Sequence, residues 1–382
     1  MLTPIKLNGI TWDHSRGYTS IVAVSQRFHE LNPQVEISWE KRSLQAFADE
    51  PIDQLAARYD FLIIDHPWAG FAARSGVILP LEKHMGAAFL NDQAANSVGK
   101  SHESYSFQNQ QWAIAIDAAT PVAASRPDLC ECKGMEVPKE WSDLLELARK
   151  GYVAIPGIPQ DTLMSFYMLC STLGEDVCQS EEQVISETVG LQALEMLRDL
   201  GAHLAPECYD MNPIAVYEAM TRTDQFLYSP FAYGYSNYAR RGYAAKILAF
   251  HDMVSINDQA LISTLGGTGL AISSKCKHPA VAANFLAFAG SADVQEGVFF
   301  DNGGQPGHRS AWLATHTNFW TSDYFKATLP ALDRAFLRPR YSGHMYFQDH
   351  SGAPIREYMM HGGQPQKVLA QLNELYRQSL TI

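Results

Sequence analysis

The sequence predicts an α/β protein of two lobes, the first of them a doubly wound sheet. Three observations carry this. The chain has 382 residues, too many for one ordinary core and suited to two of roughly 150 to 200 residues each. Strand-like and helix-like patterns alternate from the N-terminus onward, as βαβ units do. And "FLIIDHP" is a short continuous apolar run, the mark of a parallel strand covered on both faces.

The elements follow in order. "KLNGITW" is a strand, and after it Ile21, Val24, Phe28 and Leu31 recur on one helical face until "NP" at 32 and 33 stops them. "VEISWE" alternates Val35, Ile37 and Trp39, the period of a half-exposed strand. "QWAIAIDAATPVAASRP" reads as two strands in extended succession with Asp117 between them. "VPKEWSDLLELARKG" is a helix entered through Pro138 and ended by Gly151. In "GLQALEMLRDLGA" the near-helical spacing of Leu191, Leu194, Leu197 and Leu200 marks core. "GTGLAISSKCKHPAVAANFLAFAGS" is a strand, a turn and a helix with Pro279 in its first turn. A last helix lines up Val368, Leu369, Leu372, Leu375 and Tyr376. No flexible linker separates the lobes, so the chain is expected to cross between them more than once, with 1–117 and 256–308 in one lobe and 118–255 and 309–382 in the other.

Composition narrows the function. Hydrophobic residues are 46%, charged residues 18% and the net charge is −12. That argues against a nucleic-acid partner, which needs a basic face, and for a small-molecule or protein partner. No apolar run approaches the roughly 20 residues of a membrane span, and the first residues lack a signal-peptide pattern. The expected location is periplasmic if a leader was removed and cytoplasmic if Met1 is the native start. Six cysteines form neither a CxxC pair nor a zinc spacing. Cys170 and Cys178 could close a short loop, but buried free thiols are an equal reading.

Ligands of doubly wound sheets sit at the carboxyl ends of strands. Three polar clusters fall there: "WDHSRGY" (Trp12, Asp13, His14, Arg16, Tyr18), "DHPW" (Asp65, His66, Trp68) and Asp117. The plain structural reading of the first is a helix cap by Asp13 or Ser15; of the second, a turn begun by Asp65 with Pro67 setting φ. Neither explains the accompanying Trp12, His14 and Arg16. "FLYSPFAYGYSNYARRGY" adds seven aromatic rings within 226–243, about half of them expected in the core and the remainder available as platforms for a sugar ring. "RPRYSGHMYFQDH" repeats the mixture. No GxxxxGK[ST], HExxH or GxSxG occurs, and "LGGTGLA" lacks the context of a dinucleotide site. No metal and no cofactor are expected.

These stretches together resemble the extracellular solute-binding proteins of ATP-driven importers, in particular the family 1 group that includes maltose- and other carbohydrate-binding proteins. The resemblance runs through "YDFLIIDHPWAGFAARSGVILPLEKH", "WAIAIDAATPVAASRPDL", "VPKEWSDLLELARK", "GGTGLAISSKCKHPAVAANFLAFAGS", "NGGQPGHRSAW" and "RPRY", in that order over nearly the whole chain. It implies a two-lobed periplasmic binding protein-like fold of type 2, with crossing strands that join the lobes and a ligand held between them.

Carried over residue by residue, the resemblance implies ligand contacts at Asp65 and His66, at Asp117 near the first crossover, and at Tyr233 or Tyr235. Tyr341 and Tyr346 would come from the loop after the last crossover. The "WDHSRG" loop lies where the family's first ligand loop lies, and Trp68 and Gly267 complete the candidate set. The implied function is that of a monomeric binding protein for a sugar, polyol or sugar acid, with the membrane permease of an ABC importer as its partner. The alternative is a cytoplasmic enzyme on the same fold, a lyase or dehydratase with His14, Asp65 and His66 as acid and base.

Overall fold

The computed structural model describes residues 4–382; Met1, on which the choice of compartment turns, lies outside them. The strands of its two main sheets are β1 (Ile5–Trp12), β2 (Val35–Arg42), β3 (Phe61–Ile64), β4 (Ile114–Ala119), β5 (Pro121–Ser125), β6 (Tyr228–Tyr233), β7 (Ala249–His251) and β8 (Gly266–Ile272). The helices used below are α1 (Ser20–Leu31), α2 (Ala69–Ser75), α3 (Trp141–Arg149), α4 (Pro159–Thr172), α5 (Glu187–Gly201), α6 (Pro213–Arg222), α7 (Pro279–Gly290), α8 (Tyr324–Asp333), α9 (His344–His361) and α10 (Pro365–Ser379). Among the described residues no helix is long and apolar enough to cross a membrane. All six cysteines are free thiols, so Cys170 and Cys178 close no loop.

The chain divides into two compact units. The first comprises the chain up to Ala119, Gly266–Phe319 and Arg340–Ser342; the second comprises Thr120–Leu265, Trp320–Pro339 and Gly343–Ile382.

The first unit is built on a five-stranded sheet in the order β2-β1-β3-β8-β4. β1 runs parallel to β2 over its whole length, from Ile5↔Val35 to Trp12↔Arg42, and parallel to β3 at Gly9↔Phe61 and Ile10↔Leu62. β8 is antiparallel to both its neighbours, β3 and β4. "FLII" is therefore buried on both faces as expected, but has a parallel neighbour on one side only. On one face Trp39 stacks on Phe61 with ring centroids 5.9 Å apart. Phe285 of α7 lies 5.1 Å from Phe61, and Phe28 of α1 closes the group at 5.3 Å from Phe285. Truncating a ring in such a cluster costs about 3–5 kcal/mol. Leu31, expected on the same helical face, is instead exposed, because it is the last residue of α1, where the chain turns into Asn32.

The second unit carries a three-stranded antiparallel sheet, β6-β5-β7. Trp141 opens α3 and stacks on Phe231 of β6 at 6.5 Å. That helix starts at Trp141 rather than at Pro138, because Glu140 and Asp143 form a reciprocal capping box there. In α5, Leu194, Leu197 and Leu200 are buried and Leu191 half-buried. Asp117 also departs from the sequence reading: it stands inside β4, paired across from Thr268, rather than between two strands.

Candidate ligand-binding site

β1 ends at Trp12, and the chain then makes a five-residue π turn, Ser15–Thr19, that runs directly into α1. The N-cap is neither Asp13 nor Ser15. His14 takes that place in extended conformation, and its Nδ1 accepts from the Arg16 backbone N–H at 3.0 Å. An imidazole can do this only when Nδ1 is unprotonated. Burial, helped by the Arg16 charge, lowers the His14 pKa from 6.5 to about 4, which holds the ring in that state. Asp13 turns out to solvent and pairs with Lys41 at 2.8 Å; the Lys41 ammonium also lies over the Tyr18 ring at 5.2 Å.

Capping leaves Arg16 and Trp12 free to do something else. The Arg16 guanidinium reaches past the ends of β3 and β8 to Asp117 of β4. Its Nε donates to Asp117 Oδ2 at 2.7 Å and its second terminal nitrogen to Oδ1 at 2.5 Å, with both side chains buried. Burial raises the Asp117 pKa, and the guanidinium pulls the other way. Arg16 also stands 6.0 Å over the Trp12 ring. Gly17 makes room for that ring: a Cβ on Gly17 would come within 2.4 Å of it. Gly267, on β8, is needed for both of the usual reasons. Its φ is +99°, and a Cβ there would meet the Asp117 carbonyl oxygen at 2.4 Å.

The loop after β3 is a 3₁₀ turn, His66–Trp68, capped by Asp65, whose Oδ1 accepts from the His66 N–H at 2.9 Å. Thus the turn reading and the site reading both apply to Asp65. His66 is fully buried, 3.4 Å from the same carboxylate through Nδ1, with its ring edge-on to Tyr105 at 6.2 Å. Trp68 packs edge-on to Phe71 of α2 at 5.6 Å. Tyr341 follows Arg340, whose carbonyl oxygen presses on α2 at Gly70 and whose guanidinium donates to the Glu103 and Ser106 carbonyls at 2.6 Å each.

The first unit therefore gathers Trp12, His14, Arg16, Asp65, His66, Asp117 and Gly267 at one end of its sheet, where β1, β3 and β4 finish and β8 begins. Tyr233, Tyr235 and Tyr346 belong to the second unit. Tyr233 is half-buried, with its hydroxyl 3.2 Å from Thr264 Oγ1. Tyr235 is buried, its ring edge-on to Tyr217 of α6. Tyr346 sits on the seam of α9 and α10, stacked on His350 at 4.2 Å and donating to Gln378 at 3.2 Å. Of the seven rings in 226–243, five are buried (Phe226, Tyr228, Phe231, Tyr235 and Tyr238), so the segment supplies more core and fewer platforms than expected.

Three residues at this end of the first sheet escaped the sequence reading. Tyr105 packs against His66 and donates to the Ile64 carbonyl at 3.1 Å, and nothing in "SHESYSF" signals it. Thr268 lies directly across from Asp117. Gln305 clamps the end of β4 through both the Ala118 N–H and the Ala118 carbonyl; it stands in "NGGQPGHRSAW", whose local pattern signals no such role.

The profile of the family described as bacterial extracellular solute-binding protein matches residues 23–324. The chain belongs to that family. No curated protein sequence matches this solute-binding protein. Solved structures do. A maltose-bound MalE3 from T. maritima aligns over 98% of this chain and 99% of its own, with a TM-score of 0.84 at 15% identity. An ABC-transporter solute-binding protein from Agrobacterium radiobacter K84 in complex with ribitol aligns over 99% and 100%, with a TM-score of 0.83 at 15% identity. One from Thermotoga lettingae TMO bound with α-D-tagatose aligns over 98% and 100%, with a TM-score of 0.83 at 17% identity. The fold is accordingly that of the two-lobed periplasmic binding proteins. The lyase-type alternative finds no support in a family of binding proteins, and a His14 ring held neutral to about pH 4 makes a weak proton acceptor.

Proposed function

We propose that this protein is the solute-binding component of an ABC importer and takes a small polyhydroxylated ligand: a sugar, a polyol or a sugar acid. The observation that carries the reading is the convergence of an indole, a buried guanidinium–carboxylate pair and the Asp65–His66 turn at the strand ends of the first unit. Such a set offers both donors and acceptors for hydroxyls. The maltose, ribitol and α-D-tagatose carried by proteins of the same fold support the ligand class. Trp12, His14, Arg16, Tyr18, Asp65, His66, Trp68, Asp117 and Tyr341 are the contacts we assign to the first unit, with the half-buried Tyr233 as the aromatic group of the second. The protein works as a monomer outside the cytoplasm after removal of a leader, and hands its ligand to the membrane permease.

A thermal-shift panel of sugars, polyols, sugar acids, amino acids and oligopeptides tests this. A ligand at a hundred times its Kd stabilises the fold by about 2.7 kcal/mol, and the shift is expected with polyhydroxylated compounds. Shifts with amino acids or peptides alone would overturn the assignment.

A further inference from the structure

We infer that the first unit's strand-end cluster selects uncharged polyhydroxylated ligands over their acid counterparts, because Asp117 already neutralises the Arg16 guanidinium buried in it. The inference rests on the ligand class proposed above and narrows it. Four basic side chains of the first unit at this end of the sheet are held by protein groups. Arg16 is held at two points by Asp117, Lys41 by Asp13 at 2.8 Å, and Arg42 by Glu50 at 3.2 Å and the Ile63 carbonyl at 3.3 Å. Arg340 donates to the backbone carbonyls of Glu103, Ser104 and Ser106, and its charge faces the Glu103 carboxylate. His14 carries no charge above about pH 4. Asp65, by contrast, adds a carboxylate beside His66.

A ligand carboxylate arriving here would lose its hydration without gaining an open counter-charge, which is the costly way to bury an ion. A hydroxyl meets no such penalty. It can accept from a donor and donate to Asp65 or Asp117, both of which have more than one lone pair. Two neutral groups in the cluster fit the same chemistry. The Trp12 indole N–H and the Thr268 hydroxyl are buried and have no hydrogen-bond partner among the described residues. One lies under the Arg16 guanidinium and the other directly across from Asp117.

The test is calorimetric titration of the full chain with matched pairs: ribitol against ribonate, mannitol against mannonate, glucose against gluconate. The neutral member of whichever pair binds should bind at least tenfold more tightly. Asp117→Asn keeps the side chain's shape and one acceptor for Arg16 while releasing the guanidinium's charge, so it should shrink that ratio at least fivefold, chiefly by a gain for the acid. Circular dichroism establishes that the variant is folded; the wild-type comparison stands without it. Equal or tighter binding of the acid by the wild type would overturn the inference and leave the carbohydrate reading intact. A folded Asp117→Asn protein with the wild-type ratio would also overturn it. The best neutral hit of the thermal-shift panel and its acid counterpart are titrated as a further pair; shifts with amino acids or peptides alone would overturn the carbohydrate reading, and this inference with it.

Discussion

Arg16 and Asp117 are 101 positions apart in sequence and share a buried two-point ion pair at the end of the first sheet. Neither charge is tolerable there alone. Arg16→Met should therefore destabilise the protein by about 3–5 kcal/mol, whereas Arg16→Met combined with Asp117→Leu should cost far less, since a buried pair exchanged for apolar groups is often close to neutral. A double-mutant cycle in urea unfolding measures the difference; additive losses would show that the two side chains do not depend on each other.

His14 should make stability pH-dependent. Its pKa is 6.5 in the open chain and about 4 in the fold, so between these values the unfolded state binds a proton that the folded state refuses. The contribution is complete above pH 6.5 and is lost as pH falls to about 4, a total of roughly 3 kcal/mol. His14→Asn keeps an acceptor for the Arg16 N–H and does not titrate. The wild-type minus variant stability should slope through that window and be flat above it.

Gly17→Ala should cost about 1–3 kcal/mol by overpacking, because its Cβ lands on the Trp12 ring. It should also weaken ligand binding by displacing that ring. Gly86→Ala is the control: nothing lies within 4 Å of a Cβ there. Thermal melting of the two variants separates the local clash from a general glycine effect.

Tyr346→Ala should leave ligand affinity unchanged, since the ring is occupied by His350 and Gln378 on the seam of α9 and α10. Tyr233→Ala should weaken binding. Titration of both variants with the best thermal-shift ligand checks the contrast.

What the sequence disclosed and what it hid divide along the range of the interactions. The Val35–Ile37–Trp39 alternation and the apolar run at Phe61–Ile64 are local patterns, and both became strands where read. The placing of β8 between β3 and β4 pairs residues some 150 to 200 positions apart, which no local periodicity records. The "WDHSRGY" loop was legible as a special place, but the cap fell to His14 because its neutral ring is fixed by burial, a property of the folded site. The aromatic segment misled in the opposite direction. Its hydroxyls looked like ligand groups, yet several find protein partners, as Tyr238 does with Glu218.

The late arrival of β8 bears on how the protein is made. The first sheet cannot join β3 to β4 until Gly266–Ile272 has emerged from the ribosome, which follows the emergence of the whole of Thr120–Leu265. Until then two strands present unpaired edges, the kind of surface that recruits other chains. A fragment truncated just after Leu265 would hold all of "WDHSRGY" and "DHPW" and still lack the strand that lets the sheet close. Closure of the first sheet thus waits until Thr120–Leu265 has been made, and chaperone demand should fall on nascent chains from which Gly266–Ile272 has not yet emerged.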